Sequence, residues 1–327
     1  MLGLRLGLVA VLLILAAAVG ACGDDGAASS DAGGLRVVAT TTQAADFVRN
    51  VGGDRVAVTQ LLAPNADPHE YELRPQDVQA LADADVVVGS GGDVDGWLED
   101  AIGQSGSRAD VVTLIDSVET IEGGHEHESE HASEEEHSGE EVDPHWWHDP
   151  KNAVMAVGEV EKALAAADPD GRQAYADRAA RYRADIVALD EAVAQCWSRV
   201  PAGERKLVTT HDALGYYAKR YGLEIIGTVI PSLSTQGQAS AGELAELVQT
   251  IKREDVKVVF AESSVNSKVE QAIADESGAR VGKALWADTL GPKGSDGATY
   301  LASIASNTKA MVDGVTGGAE SCSLPAA

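Results

Sequence analysis

The sequence predicts an α/β protein of two βα lobes, each with a mainly parallel four-stranded sheet, joined by a long rigid helix. Short β-type apolar runs alternate with helix-compatible stretches, and that alternation occurs twice along the chain. Between the two occurrences lies an unbroken helical stripe. A chain of 327 residues has room for two such units.

The first series is LRVVAT (35–40), RVAVTQLL (55–62), DVVVGS (85–90) and DVVTLI (110–115). Strand, helix, strand at this spacing defines parallel βαβ units. The second series is KLVTT (206–210), LEIIGTVI (223–230), VKVVFA (256–261) and the shorter ARVGKAL (279–285). Between them Tyr175, Ala179, Tyr182, Ile186, Leu189, Val193 and Cys196 recur at steps of four and three, marking one face of a helix. No Gly or Pro interrupts residues 172–200, so the connection is expected to be a stiff strut. Asp149-Pro150 reads as the N-cap and first position of the preceding helix, and Asp168-Pro169 restarts the chain into the strut. The expected boundaries are 35–149 for the first lobe, 150–200 for the linking helices and 201–327 for the second lobe.

At the N-terminus one Arg precedes an apolar run that is short for a membrane span and suits a secretory signal. Val19-Gly20-Ala21-Cys22 resembles the bacterial lipobox, so residues 1–21 are expected to be removed and Cys22 lipidated. Residues 22–34 then form a flexible tether to the membrane; ordinary cleavage leaving a free thiol is the alternative. In an exported chain the two other cysteines, Cys196 and Cys322, are the only possible intramolecular pair, expected to tie down the C-terminus.

With 25 basic and 52 acidic residues the formal charge is −27, and no Lys/Arg cluster offers a footprint for nucleic acid. Cations suit the chain better, and a monomer is expected. Six of the eight histidines lie between residues 125 and 150, in a stretch with no Lys or Arg. Residues 122–143 are acidic and almost free of apolar side chains, which predicts a mobile insertion. Its His125, His127, His131 and His137 are candidates for weak, exchangeable metal capture.

The other four histidines follow a different pattern. Asp67-Pro68-His69 and Asp143-Pro144-His145 repeat one tripeptide, where ten prolines and eight histidines predict fewer than one Pro-His pair by chance. Proline restricts the backbone ahead of the imidazole and lowers the entropy lost in fixing a ligand. His69 and His211 each follow a predicted strand, and His145 follows DVVTLI and the insertion. Ligands collect outside the carboxyl ends of parallel strands, so the three imidazoles are expected to converge between the lobes. Asp288, just beyond the last strand, is the candidate fourth ligand, with Asp212, Asp149 and Glu262 as rivals.

The stretches PNADPHEYELRPQDV, DPHWWHDP, THDALGYYAKRYGL and LWADTLGPKGSDGATYLASIASN resemble, in order, the signature regions of the zinc/manganese solute-binding lipoproteins of bacterial ABC importers, the ZnuA/TroA type. The resemblance runs from about residue 35 to 315. It implies two lobes bridged by a backbone helix, a metal ion between them, and a permease with its ATPase as partners. It also carries the ligand role onto His69, His145, His211 and Asp288, and likens the His/acid-rich insertion to that of zinc-specific members. His148 departs from the family, which commonly has an apolar residue there; it is expected to be a surface group or, like Glu262, an auxiliary group behind the ligands.

Three imidazoles and one carboxylate suit tetrahedral Zn(II), whereas Mn(II) prefers more oxygen. Manganese members of the family typically carry a carboxylate in place of the third histidine. Zinc is therefore the expected cargo and manganese the alternative. No His-Glu-x-x-His helix and no G-x-S-x-G elbow is present, so an exported zinc enzyme is the weaker reading. A binder of iron-siderophore or haem on a similar fold is a third.

Overall fold

The computed structural model describes residues 34–123 and 142–325. The expected signal peptide, Cys22 and the tether up to residue 33 lie outside the described residues, as do His125, His127, His131 and His137.

Strands β1 (Leu35–Ala39), β2 (Val56–Gln60), β3 (Val86–Gly89) and β4 (Asp110–Thr113) form a parallel sheet in the order β2-β1-β3-β4. Val37, Val38, Val86, Val87 and Val88 are all buried, because helices cover both faces of the two central strands. Alternate side chains go to different cores. Val37, Val86 and Val88 join α1 (Thr42–Gly52) and α4 (Pro150–Ala167), whereas Val38 and Val87 pack with Leu81 of α2 (Pro75–Asp83) and Leu98 of α3 (Leu98–Ser105). A continuous valine run is what such a two-sided strand requires.

In the second lobe β5 (Lys206–Thr209) pairs with β6 (Glu224–Thr228), and β7 (Val258–Val259) with β8 (Arg280–Val281), both parallel. A single bridge between Thr209 and Phe260 joins the pairs, with Phe260 N donating to Val208 O at 2.8 Å. The expected sheet is therefore two pairs stitched together rather than one continuous ladder. Its last strand stops at Gly282, where an added Cβ would lie 2.7 Å from the Phe260 ring. One face is covered by α7 (Ala241–Arg253) and α8 (Lys268–Ser277), through Leu247, Val248, Ile251 and Ile273. Helices α6 (Gly215–Tyr221) and α9 (Tyr300–Thr316) carry Tyr217, Ile304 and Met311 into the same core as α1 and α4.

The strut is α5 (Arg172–Ser198), 27 residues long, or about 40 Å at 1.5 Å per residue. All seven residues of its predicted stripe are buried, and it packs against α1, α4 and α9. Asp149 caps α4 by accepting from Lys151 N, and Pro150 takes the first helical position. Asp168 instead caps a 3-10 turn, Pro169–Gly171, from which the strut begins. Tyr182 of the strut donates to the buried Asp46 carboxylate of α1 at 2.7 Å, and Tyr300 N of α9 donates to the same oxygen at 3.2 Å. Burial pushes the Asp46 carboxyl above its ordinary range. This one group ties α1, α5 and α9 together.

The expected mobility of 122–143 does not extend to its ends. Glu122 and Val142 form an antiparallel bridge, Asp143 N donates to Ile121 O at 3.0 Å, and Asp143 is buried. The Tyr216 hydroxyl donates to Asp143 O and accepts from Ile121 N, clamping both ends of the insertion to α6.

Cys196, in the last turn of α5, is paired with Cys322, their Cα atoms 5.5 Å apart across a sequence separation of 126. A loop of that length loses substantial chain entropy when closed. Replacing both cysteines with alanine is expected to lower stability by about 2–5 kcal/mol, read as a fall in the thermal midpoint; an unchanged midpoint contradicts it.

Candidate metal centre

Each of the four expected ligands stands on a loop at the carboxyl end of a strand or just ahead of a helix. His69 follows β2, His145 precedes the turn Trp146–His148 that enters α4, His211 follows β5, and Asp288 follows β8. His69, His145, His211 and Asp288 each offer one atom, and these atoms lie within 4.8 Å of one another. His145, His211 and Asp288 are fully buried, and the His69 side chain is 1% exposed.

The imidazoles face inward through Nε2. His69 Nε2 is 3.5 Å from Asp288 Oδ2, His211 Nε2 is 3.3 Å from the same oxygen, and His145 Nε2 is 3.5 Å from Asp288 Oδ1. His145 Nε2 and His211 Nε2 are 3.3 Å apart. Tetrahedral ligands bonded to zinc at about 2.0–2.1 Å sit about 3.3 Å from each other, so these separations match a shell around one ion. Neither Asp288 oxygen nor either His69 ring nitrogen has a hydrogen-bond partner among the described residues. Buried polar atoms left in this state are costly unless a ligand engages them.

Two imidazoles are held by carboxylates from behind. His145 Nδ1 is 2.7 Å from Asp143 Oδ1, which also accepts from His145 N at 2.9 Å. His211 Nδ1 is 2.7 Å from Glu262 Oε1, which accepts from His211 N at 3.2 Å. A proton on each Nδ1 leaves the Nε2 lone pair aimed at the centre and raises its basicity. Glu262, a rival ligand by sequence, contributes no atom to the group; it sits behind His211. Asp149 and Asp212 also stand outside the group.

His148 is not a surface histidine. It is 1% exposed and packs against Trp147. Burial, reinforced by His145 and His211, pushes its pKa down to about 3, so the ring is neutral. It turns inward because the short helical turn continues directly into α4, placing Trp146, Trp147 and His148 against the core. It is not among the four converging side chains.

Sequence reasoning passed over the supports of the His145 loop. Gly92 has φ +72°, and an added Cβ would lie 2.7 Å from Pro144 Cβ, so only glycine lets Pro144 seat ahead of His145. Asp95 is buried and accepts from Thr40 Oγ1 at 2.6 Å, Ser90 N at 2.7 Å and Gly91 N at 2.8 Å. Ser90 O in turn accepts from Trp146 Nε1 at 3.2 Å. The signal available was the Ser-Gly-Gly run directly after β3.

Burial, together with the neighbouring imidazoles, pushes His69 down to about 3, and burial first, then His211, holds His145 well below its ordinary value. For His211 burial acts downward too, but the Asp288 and Glu262 carboxylates outweigh it and push the ring up to about 10. Burial raises Asp288 to about 8 against the opposing pull of His211.

Buried, nitrogen-rich and supported from behind, these four side chains could hold a metal ion, the class of centre that the fold places beyond its strand ends. The chain matches the family described as zinc-uptake complex component A, periplasmic, across residues 37–314. It is 34% identical over 310 residues to the manganese-binding lipoprotein MntA of Bacillus subtilis (strain 168), covering 91% of this chain and 95% of that protein. The metal ABC transporter substrate-binding lipoprotein SsaB of Streptococcus sanguinis is 24% identical over 95% of this chain and 99% of its own length. Among solved structures, the periplasmic zinc binding protein TroA from Treponema pallidum superposes with a TM-score of 0.76 at 28% identity, over 86% of this chain and 99% of that one. The chain belongs to the zinc-uptake component A family: it is a metal-binding, substrate-binding protein of an ABC transporter and not an enzyme.

Two outcomes follow from this geometry. Glu262→Gln removes the carboxylate charge behind His211 and is expected to weaken metal binding about 10–100-fold, measured by competition with a chelator; unchanged affinity contradicts the orienting role. Because the contacting His211–Asp288 pair is pushed toward holding a proton while His69 and His145 are pushed away from it, metal uptake at pH 7 is expected to release at least one proton. Affinity then falls as pH drops. Calorimetry in buffers of different ionisation enthalpy measures the release, and a value of zero contradicts it.

Proposed function

We propose that this protein captures Zn(II) outside the cytoplasm, holds it with His69, His145, His211 and Asp288, and delivers it to a membrane permease driven by its cognate ATPase. The observation that carries this reading is the convergence of three buried Nε2 atoms and one carboxylate with tetrahedral spacing. Three neutral-nitrogen donors favour zinc over manganese, whose preference runs to oxygen. Four protein ligands also fill a tetrahedral shell, leaving no coordination site for a reacting water.

Manganese is the second reading, and one observation favours it. Asp288 turns both oxygens toward the imidazoles, Oδ1 to His145 and Oδ2 to His69 and His211, so a bidentate carboxylate would give a fifth donor. The B. subtilis relative is also named for manganese.

Lipidation at Cys22 would keep the protein at the outer membrane-facing side of its permease, with residues 22–34 as the tether. No helix among the described residues is long and apolar enough to cross a membrane. The capture role of His125, His127, His131 and His137 is subordinate: these imidazoles raise the local metal concentration beside a site that holds the ion without them.

Metal analysis of protein purified without added metal is expected to find about one zinc per chain, retained against excess manganese. Displacement by manganese at comparable concentration supports the second reading instead. His211→Ala is expected to weaken zinc binding by more than about 100-fold, whereas deletion of residues 124–141 changes it far less. Equal losses overturn the division of labour. Cys22→Ala is expected to move the protein from the membrane fraction to the soluble fraction.

A further inference from the structure

The two Asp-Pro-His tripeptides are used in different ways. In the second, Asp143 Oδ1 holds both the backbone and the Nδ1 of His145. In the first, Asp67 Oδ1 accepts from His69 N at 2.9 Å, but Oδ2 accepts from the hydroxyl of Thr235, at 2.7 Å, in the loop that follows β6 in the second lobe. His69 Nδ1 is left without a hydrogen-bond partner among the described residues. Of the three imidazoles, His69 alone lacks a carboxylate behind it.

The rest of the His69 loop also hangs on the second lobe. Gln236 Nε2 donates to His69 O, and Asn65 N donates to Leu290 O at 2.9 Å and to Thr289 Oγ1 at 3.1 Å. Asn65 has φ +60°, a left-handed conformation that fixes the loop where it turns toward residues 289 and 290. His211 is held by Glu262 within its own lobe and His145 by Asp143 within its own tripeptide, so both keep their aim when the lobes part. His69 does not.

We propose that the Asp67–Thr235 hydrogen bond is the latch of the site: it couples lobe position to His69 and makes this imidazole the first ligand to leave when the cargo is released. Thr235 is a positioning residue that acts through Asp67 on His69 and touches no metal. The proposal rests on the cargo reading above. A separation of the lobes at the permease breaks the Asp67–Thr235 and Gln236–His69 bonds together, freeing the His69 loop. The ion is then left on His145, His211 and Asp288, with one coordination position open to an incoming ligand.

The test is the rate at which zinc leaves for a chromogenic chelator, followed by stopped flow on zinc-loaded full chain. Thr235→Val removes the hydroxyl at nearly constant shape and is expected to speed zinc loss about tenfold, as for a hydrogen bond to a charged group. The association rate is expected to stay within about twofold, since changes at a single contact act mainly on dissociation. The thermal midpoint of the metal-free protein is expected to be unchanged, and Thr235→Ser to restore the slow rate. A Thr235→Val protein that loads zinc and releases it at the wild-type rate overturns the latch alone. An increase that Thr235→Ser fails to reverse, or that tracks a lowered midpoint, overturns it as well. A wild-type protein that holds no zinc defeats the cargo reading, and the latch with it.

Discussion

The structure depends on holding four metal-seeking side chains close together in a place from which water is excluded. Three imidazole nitrogens and a carboxylate within 4.8 Å form an expensive assembly in a dry interior. Burial strips the charged forms of their hydration, which is why His69 and His145 are driven to neutrality while Asp288 is driven toward protonation. A divalent cation relieves all of these at once. The cost of the empty site and the affinity of the filled one are the same physical fact.

The fold serves that fact by stiffness. A 27-residue helix without Gly or Pro lies along both lobes, and the Asp46–Tyr182–Tyr300 junction and the Cys196–Cys322 bridge fasten neighbouring elements to it. The four candidate ligands stand on loops at strand ends or just ahead of a helix. Among these the supports are unequal: Asp143 and Glu262 secure two imidazoles locally, while the third is secured through the opposite lobe. A receptor must hold its ion and also give it up, and an unequal set of supports provides both.

Much of this was legible in the sequence. The strand runs, the strut and the four ligand candidates follow from periodicity, an over-represented tripeptide and the rule that ligands gather beyond parallel strand ends. What escaped was of two kinds. His148 is buried because a helical turn carries it inward with two tryptophans, and no local pattern distinguishes that from an exposed turn. The duties of Asp67 and Gly92 depend on which distant group lies opposite each, and a single sequence does not contain that information. Identical tripeptides with different uses show the limit plainly: the residues are the same, and the partner at 2.7 Å is Thr235 in one and the imidazole itself in the other. The second sheet, stitched by one bridge, was likewise hidden by apolar runs that look as regular as those of the first.

Metal-edge X-ray absorption on zinc-loaded protein addresses the centre directly. Three imidazoles and one carboxylate oxygen at about 2.0–2.1 Å, with no water oxygen in the shell, is the result expected here. Fewer than three imidazoles, or an ion that keeps water among its ligands, would contradict it.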